Sequence, residues 1–203
     1  MKVDAFNATI LDRMDEDATT FSSYDSVKGD VEPGQEPLAA PELLNDHTAP
    51  GIPPHRVVLK VGALCVIMRN LAPYDGLVKN ASAEVRAVRA RVVKVRLLAT
   101  NKEFCLPRIT FEFQPRRFLF RIVRKQIPLR LAYAVTFHGC QGATLAKTVI
   151  DCRLPIFAHG QRYAAVSRGK TRADSAVLLA NVDDTNATPH VVNNIVYSEF
   201  VNA

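Results

Sequence analysis

No apolar run in this chain of 203 residues approaches the roughly 20 consecutive positions that a membrane helix needs. The first residues, Met1-Lys2-Val3-Asp4-Ala5-Phe6-Asn7, lack the continuous apolar core of a secretory signal. Four cysteines (Cys65, Cys105, Cys140 and Cys152) include no C-x-x-C pair. That spacing argues against a disulfide framework and a paired-cysteine zinc site, and points to a reducing compartment, cytosol or nucleus. No internal repeat is visible. What is present is ordinary globular composition, 48% apolar and 23% charged, enough for one large domain or two small ones with a real core.

Charge is segregated along the chain. Residues 1–50 hold 3 basic and 11 acidic side chains, whereas residues 84–130 hold 13 basic and 3 acidic. A basic stretch of this kind could line a phosphate backbone, because guanidinium groups match phosphate oxygens in bidentate fashion. A solvated basic face on an ordinary sheet would look the same by charge alone.

Residues 7–14 read as a short helix, with Asn7 as its cap and Ile10, Leu11 and Met14 on one face. An acidic, Pro-containing connector follows from about Asp15 to Pro54 and is expected to be mobile loop or linker. Val57 to Val61 and Ala63 to Met68 read as two short strands around Gly62, and Asp75-Gly76 marks the next turn. Residues 83–98 fit helical or strand spacing, and their valine content favours strands. Ile109/Phe111/Phe113 and Phe118/Phe120/Ile122 alternate as strands about Pro115. From Leu129 to Phe137 the chain is almost continuously apolar, as in a strand buried on both faces of a parallel sheet. A polar glycine loop, His138 to Gly142, comes next. Thr148 to Ile150 reads as a strand, His159 to Gly169 as a helix with Tyr163 and Val166 inward, and Ala176 to Ala180 as a further strand. This order is α/β logic, with ligand groups expected at strand ends.

Two segments carry the most specific pattern: Thr136-Phe137-His138-Gly139-Cys140-Gln141-Gly142-Ala143-Thr144, and Gly160-Gln161-Arg162-Tyr163-Ala164-Ala165-Val166-Ser167-Arg168. They resemble the last two motifs of superfamily-1 DNA helicases of the RecD/Pif type, including the Pif-like helicases of eukaryotic genomes and Helitron transposons. There the pattern is A-x-T-[IV]-[NH]-K-S-Q-G-x-T-L followed by G-Q-x-Y-V-A-x-S-R. Leu59 to Ala63 with Met68-Arg69-Asn70-Leu71 resembles the family's L-K-V-G-A-x-V-M-L-x-R-N-L. Pro107-Arg108-Ile109 resembles its I-P-R-I, Gln126 to Ala134 its Q-F-P-V-R-L-A-F-A, and Asn194 to Glu199 its N-V-V-Y-x-E. Upstream, Asn7 to Leu11, Tyr24-Asp25-Ser26 and Gly51 to His55 fit the preceding stretch, so the series runs in order over nearly the whole chain.

The resemblance implies an α/β fold: an incomplete RecA-like second motor lobe of the P-loop-NTPase type, a parallel sheet with helices, carrying an inserted small β-barrel. Its expected parts are a mobile segment at 1–54, lobe strands at 55–75, the basic barrel-like subdomain at 76–125 and the rest of the lobe at 126–203. It implies a 5′-to-3′ DNA helicase that works in repair, recombination, telomere upkeep or transposon mobility, with the nucleus as its place and mitochondrion or cytoplasm as alternatives. In such motors ATP lies between two lobes, and an arginine from the second stabilises charge on the transferring phosphoryl group. Arg168 matches that finger. Gln141, Gly142 and Thr144, with Gln161, match nucleotide-side positions. Thr136 and His138 would face DNA phosphates, as would Arg69, Asn70, Arg89, Arg91, Arg116 and Arg117. The partners implied are single-stranded DNA and a first motor lobe, with ATP and Mg²⁺ held only by the complete pair.

The departures matter too. Nothing in these 203 residues resembles G-x-x-x-x-G-K-[ST] or the Asp-Glu pair that handles Mg²⁺ and water. The chain alone is therefore expected to be inactive as an ATPase. Gly139-Cys140 replaces Lys-Ser, removing a positive charge beside the phosphates. Lys79-Asn80 replaces Asn-Gly at a turn, a mild change because Asn tolerates the left-handed conformation. Gly169 after Arg168 is expected to loosen the helix end. The alternatives are a non-enzymatic nucleic-acid-binding module and a decayed remnant. A zinc site from His138, Cys140, Cys152 and His159 fits no standard spacing, and Cys140 as a nucleophile has only His138 beside it. The alternating phenylalanines read as core before they read as base-stacking groups.

Overall fold

The computed structural model describes residues 3–29, 40–115, 120–143, 145–179, 195 and 197. The chain divides into two compact units, Met1–Ala134 and Val135–Ala203.

The first unit opens with α1 (Val3–Asp12), which buries Leu11 and Asn7. Asn7 is not the cap. It sits in the second turn, 2% exposed, and its Oδ1 accepts from the Ala134 N–H at 2.8 Å while Nδ2 donates to the Ala134 carbonyl at 3.0 Å. The amide thus stands in for a strand partner. Residues 15–54 are not an unbroken connector. They contain β1 (Thr19–Ser22), β2 (Tyr24–Lys28) and the short α2 (Pro41–Asp46).

Next come β3 (Arg56–Leu59) and β4 (Leu64–Ile67), separated by Gly62 at φ +81°. The expected turn is there, yet the two strands do not pair with each other: β3 pairs antiparallel with β1. A 3-10 turn at Pro73–Asp75 ends on Gly76, also left-handed, and Asn80 takes φ +67° as its side chain allows.

The remaining strands of this unit are β5 (Ser82–Val88), β6 (Val92–Leu97), β7 (Glu103–Pro107), β8 (Ile109–Phe113), β9 (Arg121–Gln126) and β10 (Leu129–Leu131). β5 and β6 form a hairpin, settling the ambiguity at 83–98. Ala83, Val85, Val93, Val95 and Leu97 are buried and charged residues alternate with them, as a half-buried sheet requires. Five antiparallel strands run in the order β10-β4-β5-β6-β7, and three more in the order β2-β9-β8. No closed barrel forms among the described residues; the larger sheet keeps β10 and β7 as edges.

The apolar run 129–137 is not a doubly buried parallel strand. Only Leu129–Leu131 is strand, antiparallel to β4 at the sheet edge. Leu129 enters the core, and beyond it Asn7 and the Tyr133 hydroxyl, which accepts from the Leu64 N–H at 3.1 Å, hold the chain instead of a sheet.

Glu84 on β5 accepts from Arg86 at 2.9 Å and from Arg96 at 2.5 Å. The Arg96 and then the Arg86 guanidinium hold its carboxyl below the usual carboxylate range. A folded-state pKa below the unfolded one stabilises at neutral pH, and that stability is lost as pH falls through the folded value. Glu84→Gln is therefore expected to lose up to about 1 kcal/mol at pH 7, the scale of exposed pairs, and to show a flatter acid limb in a pH series of urea midpoints.

In the second unit β11 (Thr148–Asp151), α3 (Gln161–Val166) and β12 (Ser175–Leu178) follow in order, with β11 and β12 paired in parallel. This is the β-α-β unit expected from the sequence. α3 is shorter than 159–169, and its inward residues are Gln161 and Ala165. Tyr163 and Val166 face out, 77% and 51% exposed, because the side of the helix that packs on Ile150 and Cys152 is the one bearing Ala165.

Candidate functional site

Two places gather the residues that chemistry would use, one in each unit. In the second unit the segment after Val135 is a chain of tight turns. Thr136 Oγ1 accepts from the Gly139 N–H at 3.0 Å, and the Thr136 carbonyl accepts from the Cys140 N–H at 3.1 Å. The Ala143 N–H then donates to the Cys140 carbonyl at 3.0 Å, and Gly142 takes φ +79°. A Cβ on Gly139 would sit 3.0 Å from Thr136 Oγ1, so the Lys-to-Gly departure has a steric counterpart in this turn.

This loop is stitched to the end of α3. Leu145 N–H donates to the Arg168 carbonyl at 2.9 Å, and Leu145 bridges Gly169 in parallel. α3 ends at Val166, ahead of Gly169, and a Cβ at Gly169 would collide with Ser175 Oγ, so the chain passes closely there. Arg168 is half-buried; Nη1 donates to the Ala143 carbonyl at 3.3 Å and Nη2 to Ser167 Oγ at 2.8 Å. Its Nε is buried with no hydrogen-bond partner. The fold therefore brings Arg168 against the backbone of the Gln141-Gly142-Ala143 loop, with donor capacity left over. Gln141, Gly142, Thr136 and His138 are exposed. Gln161 is turned inward, 7% exposed, and its Oε1 accepts from the Phe157 N–H at 3.2 Å. Thr144 lies outside the described residues.

Nothing around Cys140 or Cys152 favours a thiolate. Burial pushes the Cys140 thiol up against the opposing pull of Arg168, and burial likewise raises Cys152. Among the described residues no three His, Cys, Asp or Glu side chains come together as metal ligands.

In the first unit much of the basic stretch is already engaged. Arg86 and Arg96 pair with Glu84, Lys94 with Glu103, Lys102 with Asp75 and Arg124 with Asp25. Arg89 and Arg91 stand exposed at the β5–β6 turn and have no carboxylate partner among the described residues. Arg69 donates to the Thr110 carbonyl at 2.7 Å and lies 5.9 Å from the Phe111 ring centre. Asn70 Oδ1 accepts from the Lys79 N–H at 2.8 Å. Arg69, Asn70, Lys79, Thr110, Phe111 and Glu112 border a cleft of about 660 Å³. Arg116 and Arg117 lie outside the described residues, as does Phe118. Phe111 and Phe120 are core side chains, 3% and 1% exposed, so neither presents a ring to a base.

The sequence pattern missed the most consequential arginine. Arg124 is fully buried in an ion pair with Asp25, with Nη2 to Oδ2 at 2.7 Å, and also donates to the carbonyls of Pro53 and Leu44. No local signal marks it: Ile122, Arg124 and Gln126 share one face of β9, and with two of the three polar the pattern would turn that face to water.

The family pattern described as "DNA helicase Pif1, 2B domain" matches residues 42–85, which span α2, β3, β4 and the start of β5. The chain is 32% identical over 158 residues to the ATP-dependent DNA helicase PIF1 of Mus musculus, covering 75% of this chain and 24% of that protein. The crystal structure of the Pif1 helicase from Candida albicans superposes with TM-score 0.68 at 26% identity, over 88% of this chain and 43% of the other. The fold is also like that of the Bacteroides Pif1 helicase in complex with ADP-AlF3 and ssDNA, with TM-score 0.64 at 21% identity over 98% of this chain and 41% of that one. The chain thus spans about a quarter of the mouse relative and under half of either solved structure.

Proposed function

The chain belongs with the C-terminal part of the Pif1-like DNA helicases, and from that premise we propose that its first unit holds single-stranded DNA while its second lends Arg168 to a nucleotide bound elsewhere. The second unit is then part of a RecA-like lobe, and the first carries the inserted basic β-subdomain. The observation that carries this reading is Arg168 fixed against the Gln141-Gly142-Ala143 loop with Nε unpartnered. A guanidinium held by a long bond to the Ala143 carbonyl and a neutral bond to the Ser167 hydroxyl can exchange these for charge-assisted bonds to an incoming phosphate.

ATP, when bound by a complete enzyme, supplies the phosphoryl group whose growing negative charge such a donor would meet. The residues present fit that part of the task. They do not fit a Mg²⁺ site, since no carboxylates converge beside Arg168 among the described residues. Arg168 orients and stabilises; the loop from Thr136 to Gly142 couples its position to whatever sits at the exposed Thr136 and His138. Repair, recombination, telomere upkeep and transposon mobility are the processes open to it on this reading, with the nucleus as its place.

A second reading, a nucleic-acid-binding module without motor function, is favoured by Gly139, which removes a phosphate-side lysine and fits its turn tightly. Both readings share one test. Anisotropy of a fluorescent single-stranded oligonucleotide, titrated with salt, is expected to show binding that weakens steeply as salt rises, with no ATP turnover by the chain alone. Absence of binding at low salt overturns the DNA assignment. Loss of binding in Arg168→Ala places the strand on the loop rather than on the basic unit, and ATP turnover by this chain overturns the role given to Arg168.

A further inference from the structure

We propose that the outer face of the three-stranded sheet β2-β9-β8 is a stacking platform for unpaired bases, with Tyr24 as its ring. The proposal rests on the nucleic-acid reading above and gives that contact a location and a mode.

The register defines the face. Tyr24 lies opposite Lys125, which lies opposite Thr110; Lys28 lies opposite Arg121; Ser26, Val123 and Glu112 fill the row between. Successive strand residues point to opposite sides. The other side therefore carries Asp25, Arg124, Phe111, Ile122 and Phe113, and it is sealed with Leu44 and Phe120. The outer side is left with Lys28, Arg121 and Lys125, all exposed. Its one acid, Glu112, is met by Lys28 at 2.9 Å; that hydrogen bond, then the fields of Lys28, Arg121 and Arg69, hold its carboxyl low. The face therefore presents net positive charge. Thr110 and Glu112 also border the cleft of Arg69, Asn70 and Lys79, so the two surfaces are continuous.

Tyr24 is the one aromatic ring on this outer face. It is 69% exposed on a basic face, and its hydroxyl makes no hydrogen bond among the described residues. The ring is nevertheless positioned: the Arg108 guanidinium lies 5.4 Å from its centre and also covers Phe21 at 5.3 Å. Arg108 donates as well to the Ala90 carbonyl at 3.5 Å, between Arg89 and Arg91. The ring is backed by a cation yet stays mostly exposed, and the two exposed arginines flank Ala90, to whose carbonyl that cation is bonded. An aromatic ring among phosphate-binding cations is the arrangement that holds single strands: stacking takes any base, and the cations follow the backbone. A duplex would gain only from the charges, because its bases are already stacked on each other.

The test uses the full chain and two labelled probes, an oligothymidylate and an abasic strand of equal length. Tyr24→Ala is expected to weaken oligothymidylate binding about 5- to 150-fold, the equivalent of one stacked base, with an unchanged salt slope and unchanged abasic binding. Tyr24→Phe is expected to bind as the wild type does. Independently of any variant, a bromouracil-substituted strand irradiated on the wild-type protein is expected to attach to the tryptic peptide 14–28, which contains Tyr24. Full oligothymidylate affinity in Tyr24→Ala, or attachment only to other peptides, overturns the platform while leaving the DNA reading intact. Failure of the wild type to bind either probe overturns both.

Discussion

Replacing Arg124 with methionine is expected to remove about 3–5 kcal/mol from the first unit, a large share of what a domain of this size has to lose. The guanidinium and its partner carboxylate are 0% and 1% exposed. Nε lies 3.1 and 3.0 Å from the two oxygens of Asp25, Nη1 donates to the Pro53 carbonyl at 3.1 Å, and Nη2 donates to the Leu44 carbonyl at 3.0 Å. The cation also lies 5.5 Å from the Phe113 ring centre. Methionine fills much of the volume but leaves the Asp25 carboxylate in the interior with only the Ser23 hydroxyl, at 2.6 Å, to offset its charge. It also strands carbonyls from two separate segments, which is why the cost goes beyond one lost ion pair. Lysine does not rescue the site, because a compact ammonium cannot reach three partners in divergent directions. The contrasting variant is Lys28→Met, whose pair with Glu112 is exposed and screened by water, so its midpoint is expected to stay near that of the wild type. Urea unfolding followed by far-UV circular dichroism separates the two. A midpoint for Arg124→Met within 1 kcal/mol of the wild type would remove this pair from the centre of the fold.

Gln126→Leu is expected to cost about 2–6 kcal/mol, the sum of two stranded backbone groups at about 1–3 each. The side chain is fully buried on β9. Its Nε2 donates to the Phe21 carbonyl at 2.9 Å and the His55 carbonyl at 2.7 Å, while Oε1 accepts from the Ile127 N–H at 2.8 Å. One amide thus ties β1, the approach to β3 and the turn into β10. Leucine keeps the volume and none of the bonds. Amide hydrogen exchange gives the sharper readout, since the Ile127 N–H should lose protection by more than the average of the unit. An exchange rate at Ile127 that follows the unit average would show that water or a neighbour replaces the lost acceptor.

These two residues also show where sequence pattern stops. Alternation located β8, valine content tipped the ambiguous 83–98 towards β5 and β6, and the succession of short apolar segments gave the β-α-β order of the second unit. β1, β2 and α2 were hidden in an acidic, proline-bearing stretch. β1 pairs with residues 56–59 and β2 with residues 121–125, so no local period announces either. Nothing local marks Arg124 and Gln126 as buried, for a related reason: pattern assigns polar side chains outward, and only the distant Asp25, Pro53 and Leu44 for Arg124, and Phe21 and His55 for Gln126, reverse the assignment. On α3 the error ran the other way, with large Tyr163 outside and small Ala165 inside, as happens where a short helix lies close on a two-stranded sheet. The family pattern was legible because it depends on ordered short motifs rather than on periodicity. It located Arg168 and the Gln141-Gly142 loop, which the fold brings together at 3.3 Å through the Ala143 carbonyl. It could not separate Arg89 and Arg91, which are free among the described residues, from Arg86 and Arg96, which are spent on Glu84.

The claim that the first unit presents its uncommitted cations to a single strand is tested most directly by a salt slope. Oligonucleotide affinity is measured across a range of salt for the wild type and for Arg89→Ala/Arg91→Ala/Lys125→Ala, all at exposed positions. Three lost phosphate contacts are expected to lower the magnitude of the slope of log K on log salt by about 2. A slope unchanged by the triple substitution would contradict the account.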